Sequence, residues 1–166
     1  MRILTITSAV FCLGLFACQL PDNSATNTFN TNAATIAEAF AEFEAEDDHF
    51  FTHFADDAIW QGTGLYAPDS IPLDQVTSKY KALWAQYDYE LVSEVYFLPG
   101  VNAQTKKVDG SVRGYFKWNI TRPATDSTKA QSIAVKVYES FDFNPEGQIN
   151  FAQVYGNLEA AYAELE

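Results

Sequence analysis

The spacing of apolar residues predicts two helical regions in the first half of the folded chain. Thr35 and Glu38 have the spacing of a capping box, which predicts a helix start. A stripe with helical spacing follows, formed by Ile36, Phe40, Phe43, Phe50 and Phe54. Asp47 would interrupt this stripe, so we predict a break there, with an acid capping a second short helix. A later helix is predicted over about Leu73–Glu90.

After Leu91 the apolar period changes to two, which is typical of strands. A turn-forming stretch at residues 144–148 predicts a tight hairpin, and a terminal helix is predicted from about Leu158. Helices followed by antiparallel strands predict an α+β domain. The predicted strands are a short one at Ala58–Trp60 and longer ones at Leu91–Leu98, Ser111–Arg122, Ser132–Phe143 and Ile149–Asn157.

The hairpin predicts which side chains face each other on its two strands. We predict that Phe143 lies opposite Ile149. The same alternation then places Glu139 opposite Gln153 on an otherwise apolar face, with Tyr155 two residues further along. A buried carboxyl has a raised pKa, as a general acid or base requires. The alternatives are a structural hydrogen bond between the pair, or a solvated position at the rim.

Other candidates for a pocket lining are aromatic residues on apolar stripes, together with one histidine near the first stripe. In the catalytic interpretation Trp118, Gln153 and Tyr155 orient a substrate for Glu139. Aromatic residues in such positions more often pack in a core. Pocket lining and core packing therefore both stay open for them. The remaining candidates are His53, Trp60, Tyr80 and Trp84.

His49, His53 and Glu46 could share one face of a continuous helix, and two histidines with a carboxylate can hold a metal ion. The predicted helix break disturbs this geometry, so a solvated face is the favoured interpretation. The sequence contains no phosphate-binding glycine loop, no nucleophile elbow and no HExxH pattern. We therefore expect neither a metal nor a cofactor.

The charge of the chain limits its partners. The formal net charge is −12, and residues 33–78 contain no Lys or Arg. Such a surface repels phosphate backbones, which disfavours nucleic-acid binding. Because 48% of the residues are apolar, a core can form without disulfides.

The amino terminus has the features of an export signal. Arg2 precedes a largely apolar stretch, Ile3–Ala17, which is too short to span a bilayer comfortably. It ends in Leu15-Phe16-Ala17-Cys18, which resembles the bacterial lipobox. That resemblance implies cleavage before Cys18 and acylation of its thiol, so the lipid bilayer is the expected partner. The alternative is an ordinary signal peptide with an incidental cysteine.

The predicted organisation is a signal peptide at 1–17, a lipidated Cys18 with a flexible tether to residue 32, and a domain at 33–166. The tether interpretation depends on a polar composition without periodicity. We expect the protein in a bacterial cell envelope. Gln19 lacks the aspartate often associated with inner-membrane retention, which slightly favours the outer membrane.

The domain resembles the NTF2-like (SnoaL-like) proteins. The run Phe54-Ala55-Asp56-Asp57-Ala58-Ile59-Trp60 is similar to the end of the second helix and the first strand in that family, and the later helix, strands and hairpin follow in the same order. The resemblance implies a cone in which helices cover the concave face of a curved sheet around a pocket. Ketosteroid isomerases of this fold carry an acidic base shortly after the first strand, where this chain has Gln61-Gly62-Thr63-Gly64.

Three functions remain open. The favoured hypothesis is a pocket that binds a small apolar or amphipathic ligand near the membrane. The second is a cofactor-free lyase or isomerase of SnoaL-like type with Glu139 as acid or base. The third is an assembly module, and the resemblance implies that a homodimer would use the outer sheet face. That face is predicted to carry Tyr115, Lys117, Asn119, Lys136 and Tyr138.

Overall fold

The computed structural model describes residues 23–166. The proposed signal peptide, Cys18 and residues 19–22 lie outside these described residues. Within 23–166, no helix is both long enough and apolar enough to cross a membrane.

The first helix, α1, spans Ser24–Glu44 and begins well before the predicted start at Thr35. The prediction of a flexible tether was therefore wrong for residues 24–32. Asn32 is buried, and its side-chain amide donates a hydrogen bond to the Gly110 carbonyl over 2.8 Å. This long-range contact stabilises a polar segment for which composition alone predicts disorder.

The predicted break after α1 is confirmed. A 3₁₀ helix spans Asp48–His53, and the Asp47 carboxylate caps it by accepting a hydrogen bond from the His49 backbone amide over 2.9 Å. The break lets Phe50 turn back into the core against Phe43, with ring centroids 5.2 Å apart.

The second helix, α2, spans Leu73–Trp84 and ends six residues before the predicted boundary. Strand β3, Asp88–Leu91, begins inside the predicted helix. Tyr87, Tyr89 and Leu91 alternate there with polar residues, which is strand periodicity. Tyr87 and Leu91 also have helical spacing and continue the apolar stripe of α2, and that ambiguity explains the wrong boundary.

Seven strands form one sheet in the order β2-β1-β7-β6-β5-β3, with β4 also pairing with β5. Neighbours pair antiparallel except β1 and β7, which run parallel. The predicted strand at residues 91–98 is divided between the end of β3 and the start of β4. A terminal helix, α3, spans Leu158–Leu165. The remaining strands are β1 Phe54–Gly62, β2 Ile71–Pro72, β4 Tyr96–Val101, β5 Val108–Arg122, β6 Gln131–Phe143 and β7 Ile149–Gly156.

The core lies between α1 and the inner face of the curved sheet. Phe40 of α1 packs against Phe116 of β5, with ring centroids 4.7 Å apart, and also contacts Phe141 of β6. Ile36 and Ile120 are fully buried in the same layer. The α+β class and the cone predicted from the sequence are therefore confirmed.

Candidate functional site

The predicted pairing of Glu139 with Gln153 is wrong. Phe143 does lie opposite Ile149, but a β-bulge follows, and Asp142 pairs with Phe151. The extra residue in β7 reverses the alternation, so Glu139 pairs with Val154. Gln153 and Tyr155 consequently lie on the outer face of the sheet, away from the pocket.

Glu139 keeps its predicted place on the inner face of β6. Its side chain is 8% exposed, and no described residue forms a hydrogen bond or ion pair with its carboxyl group. Burial raises the pKa of Glu139 to about 8. Because desolvation disfavours the charged form, this carboxyl is mostly protonated at neutral pH and can donate a hydrogen bond.

Aromatic side chains surround Glu139. Trp60 of β1 and Tyr80 of α2 meet edge to face with ring centroids 5.5 Å apart. Trp118 of β5 lies on the opposite side, 5.4 Å from the ring of Phe43. These residues line a cavity of about 30 Å³ together with Phe40, Phe50, Tyr89, Leu158, Tyr162 and Glu139.

Tyr89 and Tyr162 were not among the residues selected from the sequence. Their hydroxyl groups lie 2.9 Å apart, which connects β3 with α3 beside the cavity. Burial raises the pKa of both phenols, and burial likewise raises the pKa of Tyr80 well above its ordinary value. At neutral pH these three phenols are therefore uncharged, and the Glu139 carboxyl is mostly so. The alternation of apolar and polar residues around Tyr89 could have identified a strand with Tyr89 on its apolar face. No neighbouring residue pattern distinguishes Tyr162 as a pocket residue.

Two predicted pocket residues lie next to the cavity without lining it. Trp84 is buried, and its indole N–H finds no hydrogen-bond acceptor among the described residues. His53 lies at the end of the 3₁₀ helix, where its Nε2 is 2.7 Å from the Glu42 carboxylate of α1. That contact joins two elements of the fold.

The histidines do not converge on a common point. His49 lies 3.0 Å from Asp47, whereas His53 contacts Glu42. Among residues 23–166, no group of three or more His, Cys, Asp or Glu side chains is arranged to hold a metal ion.

No family model matches the sequence, and no curated protein matches it either. Several solved structures do match this chain. A candidate polyketide cyclase from Xanthomonas campestris superposes with a TM-score of 0.64 at 18% identity, covering 84% of this chain and 99% of that one. The match to a candidate SnoaL-like polyketide cyclase from Shewanella denitrificans has a TM-score of 0.57 at 8% identity and covers 81% and 95% of the two chains.

The domain has the SnoaL-like fold. A candidate isomerase from Bacillus subtilis also shares it, with a TM-score of 0.60 at 14% identity over 84% of this chain and 99% of the other. At these identities the likeness concerns the SnoaL-like fold alone, so the function has to be argued from the residues of the pocket.

Proposed function

We propose that this domain binds a small, uncharged, largely apolar molecule in the pocket around Glu139. The observation that supports this most directly is a buried carboxyl without a partner inside an aromatic cage. An apolar cavity with a few convergent polar groups is the usual form of a ligand site. The protonated carboxyl would donate to an acceptor on the ligand, and the rings would contact its apolar surface.

Binding would require the pocket to open. A cavity of about 30 Å³ holds only about one or two water molecules. Leu158 and Tyr162 of α3 are partly exposed at its edge and are the cavity residues contributed by the terminal helix. We infer that α3 moves outward when a ligand enters.

Native mass spectrometry of the full chain, purified in detergent from its own source, tests this proposal. A small molecule should be retained by the unaltered chain and lost from the Trp118→Ala variant. Tyr155→Ala is the matched control, because Tyr155 is exposed on the other face of the sheet. If no small molecule is retained, or if both variants retain it equally, the pocket proposal is wrong.

A second candidate function is a cofactor-free lyase or isomerase, and the raised pKa of Glu139 specifically favours it. A carboxyl that titrates near neutral pH can donate and accept a proton during turnover. Similarity to candidate cyclases and an isomerase is consistent with this interpretation. Incubating the loaded protein in D₂O should then exchange a carbon-bound hydrogen of the retained molecule. Exchange that persists in Glu139→Gln would exclude this role for Glu139.

We also propose that Cys18 anchors the domain to the bacterial envelope. Residues 19–23 separate Cys18 from the start of α1, so six Cα–Cα steps reach at most about 20 Å. The domain would lie close to the membrane surface. Metabolic labelling with a fatty-acid analogue should mark the unaltered chain and the Cys12→Ser control but not Cys18→Ser. Labelling of Cys18→Ser would contradict the anchor.

A further inference from the structure

The outer face of the sheet carries a row of four tyrosines, one on each of four strands. Tyr96 pairs with Tyr115, Tyr115 with Tyr138, and Tyr138 with Tyr155. The rings of Tyr115 and Tyr138 are 4.7 Å apart, and those of Tyr138 and Tyr155 are 5.6 Å apart. Tyr96, Tyr115 and Tyr155 are 44% to 60% exposed, so the row presents aromatic surface to solvent.

Two lysines lie beside this tyrosine row. Lys117 of β5 and Lys136 of β6 are directly opposite each other, and both are exposed. Neither forms an ion pair with any described residue. Like charges in such positions repel each other. In a chain of net charge −12, this lysine pair forms a local patch of positive charge.

A groove of about 400 Å³ is lined by two tyrosines of the row, Tyr96 and Tyr115, and by both lysines. Its rim is the segment between β3 and β4, where the Ser93 hydroxyl accepts a hydrogen bond from the Lys117 backbone amide over 2.9 Å. The Glu94 side chain belongs to the same rim. The groove is lined by Ser93, Glu94, Tyr96, Tyr115, Lys117 and Lys136, together with Phe116 and Val137.

We propose that this groove binds an acidic saccharide, a sugar ring that carries a carboxylate. The tyrosine rings offer flat surfaces for the C–H face of a pyranose, and the lysine pair offers charge-assisted hydrogen bonds to the acid. Glu94 would repel a simple polyanion but can accept hydrogen bonds from sugar hydroxyls. A second copy of the chain fits less well, because it would bring another lysine pair to the same face.

Titration of the full chain with galacturonic acid, which carries one carboxylate, and with neutral galactose as the comparison, tests this proposal. We expect the acidic sugar to bind more tightly, with an affinity that falls as salt increases. Lys117→Gln should weaken binding of the acidic sugar about tenfold and leave the neutral sugar unchanged, since one charge-assisted contact is lost. Tyr115→Ala should weaken binding of both sugars.

Lys129→Gln is the matched control, because Lys129 is an exposed lysine in the β5–β6 loop, and it should have no effect. Circular dichroism melts establish that each variant is folded. The proposal is overturned if neither sugar binds at millimolar concentration, or if Lys117→Gln and Lys129→Gln behave alike. It is also overturned if sedimentation shows a dimer that Tyr115→Ala dissociates and the dimer binds no sugar.

Discussion

The phenolic oxygens of Tyr89 and Tyr162 lie 2.9 Å apart, so a single hydrogen bond joins strand β3 to helix α3 beside the pocket. Tyr89 is 5% exposed, which makes its hydroxyl costly to leave without a partner. The C-terminal end of α3 is also held, since the Arg122 guanidinium donates to the Glu166 carbonyl over 2.7 Å. The two contacts restrain the helix at its middle and at its C-terminal end.

Tyr162→Phe should loosen α3. Loss of the hydroxyl should cost about 1–3 kcal/mol of unfolding free energy, because the Tyr89 hydroxyl loses its partner. Amide hydrogen exchange in α3 should accelerate, while exchange in β6 should change little. Tyr155→Phe is the control, since it removes an exposed hydroxyl that donates to Gln153. Equal exchange in α3 for the two variants would mean that the Tyr89 contact does not restrain the helix.

The pKa of Glu139 predicts how stability depends on pH. Because the folded-state pKa is about 8, against an ordinary value of 4.5, the folded protein holds a proton that the unfolded chain releases. The stabilisation is complete below pH 4.5 and declines as pH rises towards 8. The slope attributable to Glu139 should approach about 1.4 kcal/mol per pH unit in this window.

Glu139→Gln isolates this effect from other titrating groups. The amide is nearly the same size and stays neutral, so unaltered chain and variant should have similar stability at pH 4.5. At pH 8 the variant should be the more stable of the two, because the difference grows by about 1.4 kcal/mol with each pH unit between 4.5 and 8. Denaturant unfolding at several pH values measures the difference. A difference that does not vary with pH would show that the carboxyl titrates like a solvated one.

Phe43 links the first helix to most of the pocket wall. Its ring centroid is within about 5.5 Å of the rings of Phe50, Tyr80, Trp84, Tyr89 and Trp118. Phe43→Ala should therefore cost about 3–5 kcal/mol through the lost contacts and the remaining cavity. Phe43→Leu fills most of the space and should cost about half as much or less. Urea unfolding of both variants tests this order, and similar losses would point to a site that relaxes around either side chain.

The elements that the sequence predicted well depend on local chemistry. The capping carboxylate of Asp47, the hairpin at residues 144–148 and the alternation of β6 around Glu139 each act over a few residues. The inner position of Glu139 was predictable for this reason.

The features that were missed depend on contacts distant in sequence. Both alternations of β7 contain apolar residues, Phe151 and Tyr155 on one and Ala152 and Val154 on the other. Periodicity alone therefore does not reveal the bulge that turns Val154 inward. The early start of α1 depends on Asn32 reaching Gly110, 78 positions away. Tyr162 became a pocket residue only because α3 folds back over the sheet.

The end of α1 provides a last prediction, since Glu46 occupies a backbone conformation that favours glycine. Its φ is 57°, and it follows the helix in a Schellman motif in which the amides of Glu46 and Asp47 bond to the carbonyls of Phe43 and Glu42. Burial raises the pKa of Glu46, and the nearby Asp88 adds to this. Glu46→Gly should stabilise the protein by about 1 kcal/mol, because glycine adopts this conformation without a steric penalty. Glu46→Ala removes the same charge but keeps the penalty, so thermal unfolding of the two variants separates backbone from charge. If alanine stabilises as much as glycine, the gain comes from relieving the repulsion with Asp88.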